Sequence, residues 1–241
     1  MKAIALLAAT AFECNKITQL FRSKRTIFKA GLSFISGQLN IGRDRYRVTL
    51  CISGIGKANA ARAATLLINR VRPHIIVNFG IGGAYINSKL SLSDIVIADC
   101  EHYGDEGIRI GHQLVSMEGL GLPLLETGYQ QFFNSYPMHV PTALMQHARI
   151  GGFVTVSACT GTAADGRRME QRWNAVCENM EGAAAAHVAQ AHGIPAIEVR
   201  SISNIIEDRS GKSLDRSQLL RAADRVQDFL LSVWNEALVK N

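Results

Sequence analysis

Proline is scarce, with five among 241 residues, and the 21 glycines follow no repeat, so collagen-like and linker-like chains are excluded. Charge is also sparse. Only 19% of residues are charged against 47% hydrophobic, which excludes a disordered chain and leaves ample material for a buried core. There is no CxxC spacing, and the five cysteines (Cys14, Cys51, Cys100, Cys159, Cys177) are odd in number. They are expected to be small buried residues in a reducing, cytoplasmic setting, not a disulfide framework. No apolar run approaches the ~20 residues that span a bilayer, so no membrane partner is expected. The 26 Lys and Arg outnumber the 20 Asp and Glu, for a net charge of +6. Apart from Arg22-Ser23-Lys24-Arg25, Arg43–Arg47 and Arg167-Arg168 they are dispersed. No aromatic ladder or recognition helix accompanies them, so solvated faces are expected and no nucleic acid. The seven histidines form no cluster with metal-ligand spacing, and neither metal nor cofactor is expected.

What is present is an alternation of strands and helices. Ala3–Ala9 has the length of a buried parallel strand. Following Met1-Lys2 it also matches a short signal peptide, but the basic end is weak, and Glu13 and Lys16 fall where cleavage would occur. A helix is expected from about Glu13 to Lys24, then a β pair at Leu32–Leu39 and Tyr46–Ser53. Within Ala58–Val71, Ala60, Ala64, Leu67, Ile68 and Val71 recur at helical spacing, and Pro73 ends the pattern. Ile75–Phe79 and Ile95–Asp99 are expected strands. The stretch from Gly104 to about His147 is irregular and reads as surface loops with short helices, long enough to be a functional excursion. Strand Phe153–Ser157, helix Met180–His192 and strand Ala196–Ser203 follow. A last amphipathic helix runs from about Arg216 to Val239 and buries Leu219, Leu220, Ala223, Val226, Phe229, Leu230 and Val233. No linker divides residues 1–241. A single α/β domain is expected, with a mixed, largely parallel central sheet flanked by helices.

Four segments place polar chemistry beside these elements. Ser53-Gly54-Ile55-Gly56-Lys57 lacks the third glycine of a dinucleotide fingerprint. It also fails as a Walker loop, because Ala58 follows Lys57 and Cys51 holds the upstream glycine position. Phe79-Gly80-Ile81-Gly82-Gly83 reads equally as a sharp turn after a strand and as bare backbone against which a flat ligand rests. In Glu178-Asn179-Met180-Glu181-Gly182, two carboxylates three apart share a face at the start of an Ala-rich helix, where capping is their simplest role. Arg200-Ser201-Ile202-Ser203-Asn204 turns polar at the carboxyl end of a strand, where open α/β sheets hold their sites. Asp105 and Asp165 lie in glycine-containing loops and are expected to be solvated.

Taken in this order, with Glu13 after the first strand, the chain resembles the nucleoside phosphorylase and nucleoside hydrolase superfamily. Within it, the chain is similar to the methylthioadenosine/adenosylhomocysteine nucleosidase-like members and most of all to futalosine hydrolases. The likeness runs from Leu6 to the last helix. Its most specific pieces are Val48–Lys57, Asn78–Ala84, Thr155–Thr162, Glu178–Ala183 and Arg200–Asn204. The resemblance implies a nucleoside phosphorylase-like fold, a small-molecule nucleoside substrate, and a homodimer or higher homo-oligomer. It implies that Glu13 positions and activates the attacking water, that Arg200 orients that water and the carboxylates, and that Met180 and Glu181 clamp the ribose. Ile81, Gly82 and Gly83 would line the nucleoside, and Asn204 would meet purine N7 and the 6-substituent. Phe153, Leu214 and the residues near Ala158-Cys159 are expected beside the base. The 104–147 excursion is expected to cover the 5′-substituent and reach a subunit interface.

Relatives that act on 6-aminopurines have Asp where Asn204 stands. The NH₂ of Asn offers two donors and suits O6 and N7 of a 6-oxopurine. Ile81 stands where phosphorolytic relatives place a hydroxyl, and only Lys57 adds a basic group to either glycine stretch. Water is therefore the expected nucleophile, not phosphate. The resemblance then implies release of hypoxanthine from futalosine, a step of menaquinone biosynthesis. Methylthioadenosine/adenosylhomocysteine nucleosidase or purine nucleoside phosphorylase activity is the alternative.

Overall fold

The computed structural model describes residues 2–41, 44–111, 113–209 and 214–238. Arg43, within one of the basic segments, and the expected helix end at Val239 lie outside the described residues.

The first apolar run forms β1 (Ala3–Ala8), fully buried along its length. The expected helix after it is short: α1 (Asn15–Gln19) gives way to β2 (Arg22–Lys29). Every residue of β2 is exposed, so no apolar alternation betrayed it. It is the outer strand of the sheet, and its Arg22, Lys24, Arg25 and Lys29 discourage pairing with another chain's edge. The strands β3 (Leu32–Ile41) and β4 (Asp44–Ile52) complete an antiparallel meander with it. Next comes α2 (Lys57–Val71), which buries Ala60, Ala63, Ala64, Leu67 and Ile68. It ends at Arg72, whose φ of 47° breaks the helix one residue before Pro73.

In the middle of the chain, β5 (Ile75–Ala84) and β6 (Ile95–Tyr103) are both longer than expected. The 104–147 excursion is built from hairpins where loops and helices were expected. It holds β7 (Gly107–Ile110), β8 (Gln113–Ser116), the single-turn α3 (Met117–Leu120), β9 (Leu125–Thr127), β10 (Gln130–Phe132) and β11 (Ser135–Pro137). After β12 (Arg149–Thr155) come two elements with no expected counterpart, α4 (Ala163–Trp173) and β13 (Ala175–Asn179). Of α4 only Gly166 is buried, and with the half-buried Met169 and Trp173 it forms a narrow face against Val154, Ala175 and Ile206; the Thr162 hydroxyl caps the helix by accepting from the Asp165 N–H. The chain closes with α5 (Gly182–Ala191), β14 (Ala196–Ile205) and α6 (Arg216–Leu238).

The main sheet has ten strands, in the order β11-β6-β12-β13-β5-β1-β4-β3-β2, with β14 paired to both β5 and β6. The strands β5, β14, β6, β12 and β13 thus close a ring, and β1 to β4 extend from it as an open sheet. The sheet is mixed, as expected, but not largely parallel. Among the described residues five of its strand pairs are parallel and five antiparallel: the meander reverses direction twice, the ring closure twice, and β11 runs antiparallel to β6 at the other edge. One apolar core lies under α2 and α5, which pack together; a second lies under α6 and α1. The carboxyl ends of β1, β5, β13 and β14 meet at one place between these layers, and the polar residues gather there.

Candidate active site

A cavity of about 260 Å³ opens at those strand ends. Glu13, Ile81, Gly82, Gly83, Met180, Glu181, Arg200 and Asn204 all line it, although they come from four separate stretches of chain.

Glu13 follows β1 and is 3% exposed. Its Oε2 accepts from the backbone N–H and the hydroxyl of Thr10, at 2.9 and 2.7 Å, and its Oε1 accepts from the Ile81 N–H at 3.1 Å. A carboxylate has about four acceptor positions, so one remains for a further donor on the cavity side. Burial pushes the Glu13 carboxyl above its ordinary range, opposed by the charge of Arg200 and by these hydrogen bonds.

The Gly80–Gly83 stretch is not a turn. It continues β5 and pairs in parallel with β14. The glycines provide room in place of curvature: a Cβ on Gly80 would stand 2.4 Å from Glu13 Oε1 and 2.9 Å from Arg200 Nη1. Glu13, from the loop after β1, and Arg200, on β14, can meet over β5 only where that strand carries no side chain.

Arg200 is 1% exposed. Its Nε donates to Glu198 Oε1 at 2.8 Å and its Nη2 lies 2.8 Å from the same oxygen. Its Nη1 donates to the Ile81 carbonyl at 3.1 Å and to Glu181 Oε2 at 3.3 Å. Burial works against its charge, but the carboxylates of Glu198, Glu181 and Glu13 outweigh it and hold the guanidinium above its ordinary pKa. Glu181 precedes α5 as its N-cap, and its Oε1 accepts from the Gly56 N–H at 3.0 Å. Gly56 presents that N–H from a backbone with φ 99°, a conformation open to glycine. The Ser53–Lys57 turn thereby joins the site.

Glu178 does not share a helical face with Glu181. It belongs to β13, where Thr160 donates to it from both backbone N–H and hydroxyl and Tyr85 donates at 3.3 Å. Burial raises its carboxyl as well, against the hydrogen bonds of Thr160. The side chain that caps α5 is Asn179. Its Oδ1 accepts from the N–H groups of Glu181 and Gly182 at 2.9 and 2.7 Å. Sequence reasoning gave Asn179 no role: its cap partners lie only two and three residues ahead, but the helix was expected to begin at Met180, with the neighbouring carboxylates as its caps.

Asn204 lies near the end of β14. The single hydrogen of the Ser203 hydroxyl is shared between Asn204 Oδ1, at 3.0 Å, and the Gly82 carbonyl, at 3.1 Å. Of the residues expected beside the base, Leu214 and Cys159 line the cavity. Phe153 does not. It is fully buried, and the alternation of β12 turns it into the core under α5. Phe12, next to Glu13, supplies an aromatic wall that was not expected. No described residue of the 104–147 excursion lines this cavity within one chain. Asp105 is not merely solvated: with Glu106 it holds Lys57 Nζ, at 2.6 and 2.7 Å, and it accepts from the Ser157 N–H. Lys57 is therefore turned away from the cavity. Asp165 is engaged at the start of α4, where Arg168 pairs with it.

Among the described residues no group of three or more His, Cys, Asp or Glu is placed to hold a metal ion. No helix among them is long and apolar enough to cross a membrane. Among the described residues, three carboxyl groups (Glu13, Glu178, Glu181) and two arginines (Arg200, Arg209) line the cavity.

The phosphorylase superfamily model matches residues 3–238. A curated 5′-methylthioadenosine/S-adenosylhomocysteine nucleosidase of Staphylococcus aureus is 29% identical over 208 residues, covering 83% of this chain and 84% of that protein. Among solved structures, a nucleosidase of the same name from Colwellia psychrerythraea, in complex with adenine, superposes with a TM-score of 0.81 at 22% identity. It covers 98% of this chain and 96% of that one. A futalosine hydrolase mutant of Helicobacter pylori superposes with a TM-score of 0.80 at 21% identity, over 98% of this chain and all of that one. These relatives are nucleosidases, enzymes that hydrolyse an N-glycosyl bond, and the chain belongs with them to the phosphorylase superfamily.

Proposed function

We propose that this nucleosidase hydrolyses the N-glycosidic bond of a 6-oxopurine nucleoside, futalosine, and releases hypoxanthine. The observation that carries the substrate reading is the state of the Asn204 amide. Its oxygen is engaged by Ser203, which leaves the NH₂ as the group available to the cavity. Two N–H donors match the O6 and N7 acceptors of hypoxanthine and oppose the amino group of adenine. As charge grows on the departing base these bonds strengthen, contributing about 1.5–3 kcal/mol for a charged partner.

Glu13, with one acceptor position left and a raised pKa, suits the removal of a proton from water near neutral pH. Arg200 holds Glu181 and lies beside Glu13 over Gly80, so one guanidinium sets both carboxylates. Glu181 is the sugar anchor, with Met180 against the ribose. The carboxylates also stabilise the oxocarbenium-like charge as the glycosidic bond breaks. Phosphorolysis is disfavoured because Lys57 is held by two carboxylates and Arg200 is already saturated. The excursion is read as the surface that meets a second copy, since Ile108 and Ile110 of the β7–β8 hairpin are 51% and 64% exposed.

The test is incubation with futalosine, inosine and methylthioadenosine, each with and without phosphate. Phosphate-independent release of hypoxanthine from futalosine is expected. Adenine release, as the curated relatives' names suggest, or strict phosphate dependence overturns the reading. In the Asn204→Asp variant, turnover of the 6-oxopurine is expected to fall about 10- to 100-fold, the equivalent of the lost hydrogen bonds. Improved hypoxanthine release would contradict the role of the amide.

A further inference from the structure

Behind the wall of the cavity two more carboxyl groups are buried without any exposure, Glu101 on β6 and Glu198 on β14. They face each other through the space that Gly182 leaves empty. A Cβ on Gly182 would come within 1.9 Å of Glu101 Oε1 and 2.3 Å of Glu198 Oε2. The remaining contacts of the pair all lead to the site. Glu198 Oε1 receives Arg200, as described, and Glu101 Oε1 accepts from Asn179 Nδ2 at 2.6 Å. Glu101 Oε2 accepts from the Thr155 hydroxyl at 2.8 Å, and that hydroxyl accepts from the Ala183 N–H at 2.7 Å. One side of the pair thus steadies Arg200, and the other steadies Asn179 and the start of α5, from which Glu181 projects.

Among the described residues, no other group donates a hydrogen bond to Glu198 Oε2. The group aimed at it is Glu101 Oε1, which can donate only if it carries a proton. Around Glu101, β14 brings Glu198, β13 brings Cys177 and Glu178, β5 leads to Tyr85, and β6 itself brings Cys100 and Tyr103. Arg200, through Glu198, is the one cation in this set. Two ionised carboxylates here would leave a fully buried charge uncompensated, which is strongly disfavoured.

We propose that Glu101 and Glu198 share one proton, donated from Glu101 Oε1 to Glu198 Oε2, and that this acid pair positions Arg200 and Glu181 for the reaction. Burial, reinforced by the neighbouring Glu198, holds the Glu101 carboxyl well above its ordinary range and agrees with this arrangement. Gly182 is required because any side chain there would separate the two carboxyls. The effect on turnover rests on the hydrolase reading; the location of the proton does not.

The decisive comparison is between Glu198→Gln and the double variant Glu101→Gln/Glu198→Gln. In the single variant the amide oxygen can face Arg200 and the amide NH₂ can donate to Glu101, which then ionises. Every hydrogen bond and the single negative charge are preserved. The double variant keeps the shape but loses the charge. Turnover is expected to fall less than about tenfold in the single variant and at least about a hundredfold in the double, mostly in kcat. Infrared difference spectra of wild type against Glu198→Gln at neutral pH are expected to show loss of one protonated-carboxyl band. A Glu198→Gln variant as impaired as the double, or an unchanged protonated-carboxyl band, overturns the proposal. Should the double variant not fold, or the wild type cleave none of the nucleosides above, the infrared comparison decides alone.

Discussion

Replacing Gly80 by Ala tests how the site is assembled, because the ordinary expectation and the one drawn from the structure have opposite signs. Gly80 lies within β5 and is absent from the positive-φ glycines, so its backbone accepts a side chain. In most strands such a change is stabilising by about 0.5–1 kcal/mol, since glycine sacrifices more chain entropy on folding. Here the new methyl would stand 2.4 Å from Glu13 Oε1 and 2.9 Å from Arg200 Nη1. Both groups are buried and held by several hydrogen bonds, so neither can swing aside freely. Overpacking of this kind costs about 1–3 kcal/mol. At about 2–4 °C per kcal/mol for a chain of this size, Tm is expected to fall by about 2–12 °C. Displacement of Glu13 or Arg200 by about 1 Å is expected to lower kcat/KM about a hundredfold. Calorimetry and steady-state hydrolysis measure the two effects. A Gly80→Ala protein that is more stable than wild type and fully active refutes the idea that these glycines exist for close approach.

Further expectations follow from the same geometry. Glu181→Gln removes the charge facing Arg200 Nη1 and sets an amide donor against either that guanidinium or the Gly56 N–H, so kcat/KM is expected to fall about 10- to 100-fold, as for a lost charged hydrogen bond; near-normal turnover would remove Glu181 from the sugar anchor. Glu13 accepts a proton only when ionised, and burial raises its pKa, so kcat/KM is expected to decline as pH falls through a value above 4.5. A profile flat down to that pH, or an active Glu13→Gln variant, would exclude it as the base. Burial opposes the charge of Lys57, but Asp105 and Glu106 outweigh it and raise its pKa, while Lys57 lowers that of Asp105 against burial. This cluster therefore stabilises the fold between the two folded-state values, and the contribution is lost as pH rises through that of Lys57 or falls through that of Asp105. Lys57→Met is expected to lower stability by about 1–3 kcal/mol at neutral pH by leaving half-buried carboxylates unpaired; equal thermal melts for the two proteins would show the cluster to be idle.

Elements with an apolar signature were legible without coordinates. The continuous run of β1, the Ala- and Leu-rich face of α2, the Ile-rich β5 and β6 and the stripe of α6 each announce burial through local spacing, which is a property of neighbouring residues alone. The same spacing is silent for β2, whose residues are all exposed, and weak for α4, whose packed face is only Gly166, Met169 and Trp173, so neither element is expected from the sequence. Among the residues named for the site, those after β1 and on β5 and β14 come together because these parallel strands deliver their carboxyl ends to one side, whereas Met180 and Glu181 arrive through β13, which is antiparallel to β5. Phe153, two residues before the end of β12, is turned into the core by the two-residue alternation.

The residue types able to do the chemistry, and their order along the chain, were present in the amino-acid sequence itself. Their meeting was not. That Gly80 is empty space for Glu13 and Arg200, that Asn179 reaches Glu101, and that Glu101 meets Glu198 across Gly182 depend on strands brought side by side from distant parts of the chain. Local spacing carries no information on such contacts, because which side chains share a buried volume is decided only when the ring of strands closes.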